Sequence, residues 1–315
     1  MKVKVLACLL GLSIMFNIAG LVFFIAFMKT AGNLKSMKRE RNIMAQNLTA
    51  VRAQNVITDE VDSGQVVRRK FASLADGQED WYALMPPTIS GRMDNTLVVY
   101  LHGMGSTYLE PFTCPEGQPI AQAIAMRYPD VCLLSCNYRK EASWGTDLAM
   151  SDITQNIREV MQQYPIKRIV LMGTSMGGCT VLTYATQAPS DIKEKLAGIV
   201  SVEGAGSLKA LYEMSENDSV KAAIAGSLGG TYSQVPAVYE RKSFLPNING
   251  LPKSVHVAIV SAKADHIVPP PLQEQIRDAL DAGHYPAKMI SIEAGHGAPP
   301  APIYVQALEF ALGSA

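Results

Sequence analysis

Six short, predominantly apolar runs recur between residues 96 and 294 and leave this chain few folds to choose from. They are "TLVVYLHG" (96–103), "VCLLSCNY" (131–138), "RIVLM" (168–172), "AGIVSVEG" (197–204), "VHVAIVSA" (255–262) and "KMISIEA" (288–294). A continuous apolar stretch, rather than an alternating one, is the pattern of a strand covered on both faces. Between and after these runs the apolar spacing changes to that of helices, at 118–126, 148–163, 176–187, 272–282 and 302–312. Strands alternating with helices predict an α/β domain with a mostly parallel central sheet and helices on both faces. Ahead of this core, "VVRRKFASLADGQEDWYALMPP" (66–87) alternates apolar and polar residues around Asp76-Gly77, which predicts an antiparallel hairpin. Open sheets of this kind bind ligands at the carboxyl ends of their strands, so chemistry is sought just past each run.

The third run leads into "GTSMGG", which becomes helical at once. A buried strand that turns into a helix within two or three residues strains the corner residue and brings its flanks against the opposing segment. Glycine two positions to either side removes that collision. The corner residue, Ser175, then projects from the sheet beside a helix N-terminus, where negative charge is favoured. The G-x-S-x-G spacing is that of a nucleophile elbow, and a Gly-rich turn without chemistry can carry the same letters. The remaining strand ends therefore matter. The first run ends in His102-Gly103-Met104-Gly105, whose small residues allow a backbone N–H to turn inward. Asp265 follows the fifth run in "SAKADHIVPP", and His296 follows the sixth in "EAGHGAPP".

The chain has five histidines. His102 reads as a buttress of the loop it begins, His256 as a packed strand residue, His266 as a neighbour of Asp265, and His284 as the end of a helix. His296, between two glycines in a loop, is the candidate base. For the acid, Glu203 at the end of the fourth run competes with Asp265. Asp265 is preferred because the Pro269-Pro270-Pro271 run fixes its loop, whereas Glu203 precedes "GAGS", which reads as a flexible hinge.

From about residue 66 the chain resembles the α/β-hydrolase superfamily, with the flavour of prolyl-oligopeptidase-like hydrolases and small esterases. The resemblance rests on "ASLADGQEDWYALMPP", "HGMG", "GTSMGG", "YERKSFLPNI", "AKADHIVPP" and "AGHG". It implies Ser175 as nucleophile, His296 as general base, Asp265 as its orienting acid, and the N–H groups of Met104 and Met176 as the oxyanion hole. It also implies a small cap insertion at about 205–250, which reads as a polar, Gly-containing segment whose loops shape substrate choice. "HGMG" departs from the triple glycine of many lipases and esterases, and the chain has no room for the β-propeller of larger peptidases. The expected activity is hydrolysis of a small-molecule carboxylic ester through an acyl-enzyme, with no metal or organic cofactor. A peptidase, thioesterase or acyltransferase uses the same machinery, and a noncatalytic anchored binding protein on a degenerate hydrolase fold is the alternative from another class.

Residues 5–28, "VLACLLGLSIMFNIAGLVFFIAFM", carry no charge and as a helix extend about 36 Å, enough to span a bilayer core. Residues 1–30 are therefore expected to form an uncleaved signal anchor, and residues 31–64 a helical stalk, with the hydrolase domain at 65–315. In the stalk Leu34, Met37, Met44, Leu48 and Val51 recur at helical spacing, enough for a solvated spacer or a weak homodimer. Lys2 and Lys4 favour an inside N-terminus, while Lys29, Lys35, Lys38, Arg39 and Arg41 favour the reverse. An extracytoplasmic catalytic domain is the expectation. The 28 basic and 28 acidic residues balance, and no basic stripe or nucleic-acid motif appears, so nucleic-acid binding is not expected. Cys114, Cys132, Cys136 and Cys179 form no C-x-x-C pair, which argues against a metal site. Cys132 and Cys136 lie about 13 Å apart along one strand and cannot bridge each other. Buried free thiols are the expected state, with a bridge from Cys114 the alternative.

Overall fold

The computed structural model describes residues 66–87, 95–113, 117–139, 141–297 and 299–313. The expected anchor at 1–30 and stalk at 31–64 lie outside the described residues, as do Cys8 and Cys114. Among the described residues no helix is long and apolar enough to cross a membrane.

Eight strands form one sheet: β1 (Val67–Ala72), β2 (Glu79–Met85), β3 (Thr96–Leu101), β4 (Cys132–Cys136), β5 (Arg168–Thr174), β6 (Leu196–Val202), β7 (His256–Ala262) and β8 (Ala287–Ile292). Their spatial order is β1-β2-β4-β3-β5-β6-β7-β8. The predicted hairpin β1–β2 is antiparallel and docks antiparallel onto β4, while every pairing from β4 through β3 to β8 is parallel.

Side chains that alternate along each strand sort into two cores. Leu97, Val99 and Leu101 of β3, with Ile169 and Leu171 of β5, face one side, and Val98, Tyr100, Val170 and Met172 face the other. This two-faced burial is what a continuous apolar run encodes. On the first side pack α2 (Asp147–Gln163), α3 (Met176–Gln187) and α8 (Pro271–Ala282). On the second pack α1 (Ile120–Arg127) and α9 (Ala301–Ala311). The hairpin is clasped to the body by the buried Arg139 guanidinium, which pairs with Asp76 at 2.7 Å and with the fully buried Asp152. These hydrogen bonds raise Arg139 and lower Asp76 relative to their ordinary values.

Two expectations need correction. The first, second, fourth and sixth apolar runs outlast their strands: residues 102–103, 137–138, 203–204 and 293–294 leave the sheet and enter the loops that follow. The cap segment is also helical rather than loop-like, and contains α5 (Leu208–Met214), α6 (Asp218–Leu228), α7 (Pro236–Arg241) and a 3₁₀ turn (Leu245–Gly250). These helices are short, and a few apolar residues anchor them: Leu208, Leu211, Val220, Ile224, Leu228 and Tyr239 join the first core. Asn217 caps α6 by accepting from the N–H groups of Ser219 and Val220, and Gly229 ends it in the left-handed conformation. A further one-turn helix, α4 (Ser190–Lys193), was not expected.

Candidate active site

The register of the sheet brings the chosen residues to one edge. Leu101 pairs with Gly173, Val202 with Val260, and Ala262 with Ile292. The loops that follow β3, β5, β6, β7 and β8 therefore leave the sheet side by side. From β3 the chain runs toward β4, and from β5 toward β6, so the crevice opens between adjacent strands whose connections diverge.

Ser175 lies at the corner between β5 and α3 with φ 55° and ψ −115°, a strained conformation for a residue with a side chain. The corner is so tight that a Cβ on Gly173 would meet the Gly177 backbone at 2.5 Å, and one on Gly177 would meet the Leu101 carbonyl oxygen at 2.0 Å. Those two approaches are the physical content of the G-x-S-x-G spacing. The Ser175 N–H is held by the Val202 carbonyl at 2.8 Å, which ties the corner to β6.

Three of the expected residues meet. Ser175 Oγ lies 2.9 Å from His296 Nε2, and His296 Nδ1 lies 2.7 Å from Asp265 Oδ2. A carboxylate only accepts, so the tautomer that satisfies both contacts carries its proton on Nδ1 and accepts the serine hydroxyl proton at Nε2. Asp265 is almost fully buried, and its other oxygen accepts from the N–H groups of Ile267 and Val268, both at 2.8 Å. Its geometry is thus fixed by its own loop.

Glu203 is also in the site, and not as the flexible hinge its sequence context suggested. It is wholly buried with φ 51°, and its Oε2 accepts from the Gly297 N–H at 2.8 Å and lies 3.5 Å from His296 Nδ1. Oε1 is buried without a hydrogen-bond partner. Burial pushes this carboxyl up from its ordinary 4.5 to about 7, in the same direction as the nearby Asp265, while the Gly297 N–H and His296 pull it down. Of the two carboxylates, Asp265 makes the closer contact with His296 and has the fuller set of donors. The ligand atoms of Glu203, Asp265 and His296 lie within 4.8 Å of one another. Each polar side-chain atom of the three makes at least one of the contacts just described, apart from Glu203 Oε1.

On the opposite side of Ser175 runs the loop His102–Gly105. His102 is fully buried, with Nδ1 2.8 Å from the Gly103 carbonyl and Nε2 3.1 Å from the Asn137 carbonyl, so it buttresses this loop as expected. The Gly103 N–H donates to Glu110 Oε2 at 3.0 Å and the Gly105 N–H to the Glu141 carbonyl at 2.8 Å. Between them, the Met104 N–H donates to no group among the described residues. Met176 is the first residue of α3, and its N–H is likewise outside the helical ladder, which begins with Cys179 N–H to the Ser175 carbonyl at 3.0 Å. Glu110 had no signal in its local sequence; only the fold brings it under this loop. Nearby, a cavity of about 540 Å³ is lined by Thr107, Asn137, Arg139, Glu141 and Ala142, residues of the loops after β3 and β4.

The other histidines lie elsewhere: His256 makes a tilted ring contact with Phe310, and His266 is exposed beside Glu216 at 3.6 Å. Cys132, Cys136 and Cys179 are free and buried, and burial pushes each thiol up to about 12, so they are inert packing residues.

Comparison with known proteins agrees with this architecture. A family model described as the alpha/beta hydrolase fold matches residues 96–232. No curated protein sequence matches the chain. Among solved structures, an acylaminoacyl peptidase in complex with a chloromethyl ketone superposes with a TM-score of 0.62 at 15% identity over 82% of this chain. A puromycin-hydrolyzing peptidase of Mycobacterium tuberculosis gives 0.61 at 19% identity over 79% of this chain. The chain spans only 43% and 39% of these two peptidases. A fluorophosphonate-binding serine hydrolase of Staphylococcus aureus gives 0.58 at 19% identity, with 80% of this chain covering 98% of that one. With its eight-stranded order, the tight turn at Ser175 and this matched segment, the chain has the α/β-hydrolase fold.

Proposed function

We propose that this protein is a membrane-anchored serine hydrolase that cleaves carboxylic esters by acyl transfer. The observation that carries the reading is the imidazole of His296, held by Asp265 on one nitrogen and facing the Ser175 hydroxyl with the other. In this reading His296 Nε2 takes the hydroxyl proton as Ser175 Oγ attacks the ester carbonyl. The negative oxygen that forms is met by the N–H groups of Met104 and Met176 and by the N-terminal end of α3. His296 then returns the proton to the departing alkoxide. A water molecule, deprotonated by the same nitrogen, attacks the acyl carbon; the bond to Ser175 Oγ breaks, the carboxylic acid leaves, and His296 returns the proton to Oγ. Every proton and charge in this sequence is handled by the chain itself.

The ester preference draws on the cavity beside the oxyanion loop. Its one guanidinium, Arg139, is engaged by Asp76 and Asp152 and is not available to seize a peptide carboxylate. Likeness to two peptidases favours peptide hydrolysis as the second reading. The test is reaction with a fluorophosphonate probe, followed by turnover of short p-nitrophenyl esters and of aminoacyl p-nitroanilides. Ser175→Ala is expected to abolish labelling and to lower ester turnover by about 10⁴- to 10⁶-fold. Undiminished turnover in that variant rejects the mechanism, and faster turnover of the anilides than of the esters moves the assignment to a peptidase.

The anchor and an extracytoplasmic catalytic domain are supported by the uncharged stretch at 5–28 and the stalk pattern that follows it. A periplasmic-type phosphatase reporter fused to the C-terminus is expected to be active. An inactive phosphatase beside an active cytoplasmic reporter reverses the orientation.

A further inference from the structure

A buried chain of hydroxyl groups runs beneath the site and ends at the oxyanion loop. Tyr304 on α9 meets Thr174 Oγ1 at 2.7 Å, Thr174 meets the Tyr100 hydroxyl at 3.0 Å, and Tyr100 donates to Glu110 Oε1 at 2.6 Å. The other oxygen of Glu110 accepts the Gly103 N–H at 3.0 Å. Both tyrosines are completely buried and Thr174 nearly so. Burial raises both phenols well above their ordinary value, so they keep their protons and remain donors.

The direction of this chain is set by its end. Because a carboxylate accepts only, the Tyr100 proton points to Glu110, the Thr174 proton then points to Tyr100, and the Tyr304 proton to Thr174. Hydrogen bonds arranged head to tail strengthen one another in a low-dielectric interior. Two residues of the assembly border the site. Thr174 immediately precedes Ser175, and Gly103 immediately precedes Met104. Glu110 takes the Gly103 N–H, the Glu141 carbonyl takes the Gly105 N–H, and the Met104 N–H between them donates to no group among the described residues.

We propose that Glu110 is a positioning residue for the reaction, and that the relay Tyr304–Thr174–Tyr100–Glu110 locks the oxyanion loop to the nucleophile corner so that the Met104 N–H faces the developing oxyanion. The inference rests on the serine-hydrolase reading above. It adds residues that touch neither substrate nor reacting atoms, and it makes the oxyanion hole depend on a side chain in a 3₁₀ turn, Glu110–Phe112, outside the sheet.

The test uses two conservative variants. Glu110→Gln keeps the size but presents an NH₂ where one of the two acceptors stood. Tyr304→Phe removes only the outermost hydroxyl of the relay. The measurements on the full chain are kcat, KM, and the inhibition constant of a trifluoromethyl ketone, whose tetrahedral adduct places an oxyanion in the hole. Glu110→Gln is expected to lower kcat by about 10- to 100-fold with KM within about twofold, and to weaken the ketone by the same factor as it lowers kcat/KM. Tyr304→Phe is expected to move the same quantities together by a smaller factor, and it carries the test alone if Glu110→Gln does not fold. Unchanged kcat in a folded Glu110→Gln and in Tyr304→Phe overturns the inference. So does a loss of kcat with ketone affinity unaltered. In those cases the wild type still reacts with a fluorophosphonate; a wild type that reacts with neither reagent rejects the hydrolase reading, and this inference with it.

Discussion

Two carboxylates face the same imidazole nitrogen from backbones of different character. Asp265 lies in a short loop after β7 that supplies its own donors: two N–H groups hold one oxygen, and His296 holds the other at 2.7 Å. Glu203 sits directly at the end of β6, in a left-handed backbone conformation, with one oxygen on the Gly297 N–H and the other without a partner. The first group is surrounded by hydrogen bonds that fix where it points. The second is wholly buried with fewer hydrogen bonds, and that burial disfavours its charge. Proximity to a histidine therefore does not by itself define the acid. The distinction lies in which carboxylate is held in place and served with donors. Glu203 is placed instead to hold the backbone of the histidine loop.

The comparison breaks most directly at Asp265. Asp265→Asn presents an amide that favours the wrong tautomer of His296, and kcat is expected to fall by about 10⁴-fold in a protein whose circular dichroism is unchanged. A folded variant with near-normal turnover, beside an inactive Glu203→Gln, would exchange the two roles. Glu203→Ala comes next. It leaves the Gly297 N–H without its acceptor, and the loss of one such bond, about 1.5–3 kcal/mol, corresponds to roughly a ten- to hundredfold fall in kcat if the whole cost falls on the position of His296. Turnover equal to the wild type would mean that the histidine loop holds itself. Glu203→Gln retains an acceptor for Gly297 and is expected to lose tenfold or less, so a gap between the alanine and glutamine variants measures positioning apart from charge.

The smallest expected effect is on stability. With Glu203 raised from 4.5 to about 7, the folded protein holds a proton between those values that the unfolded chain has released. The stability that this proton confers is present at low pH and is lost as pH rises through the window. The melting temperature of the wild type relative to Glu203→Gln is therefore expected to be lower at pH 8 than at pH 5. A constant difference between the two proteins would show that Glu203 ionises in the fold as it does in water.

Much of this site could be read from the chain before any coordinates. Ser175 was marked by glycines whose necessity is steric, and Asp265 and His296 by their places just past apolar runs. What was not legible depended on contacts between distant segments. Glu203 reads as a hinge because "GAGS" follows it, yet Gly297, 94 residues later, supplies its hydrogen bond. Glu110 gains its role only when the loop after β3 folds back over its own strand. The cap helices α5 to α7 escaped notice because so few apolar residues anchor each one. The apolar runs outlast their strands for a related reason: residues 102–103, 137–138, 203–204 and 293–294 continue those runs in the sequence, but they bend out of the sheet into the loops that follow.

The order in which the strands supply this site has a consequence for the protein's synthesis. The base stands 121 residues after the serine it faces, and it is delivered by the loop after β8. A nascent chain emerging as far as β7 would already have its nucleophile corner and its oxyanion loop, and would still lack both acid and base. In the proposed mechanism, chemical competence then waits for the loop after β8, which is made 121 residues after the serine. Ribosome-bound chains arrested before and after His296, compared for fluorophosphonate reactivity, should differ by the whole of the activity; labelling of the shorter chain at the full rate would show that the serine is activated without its base.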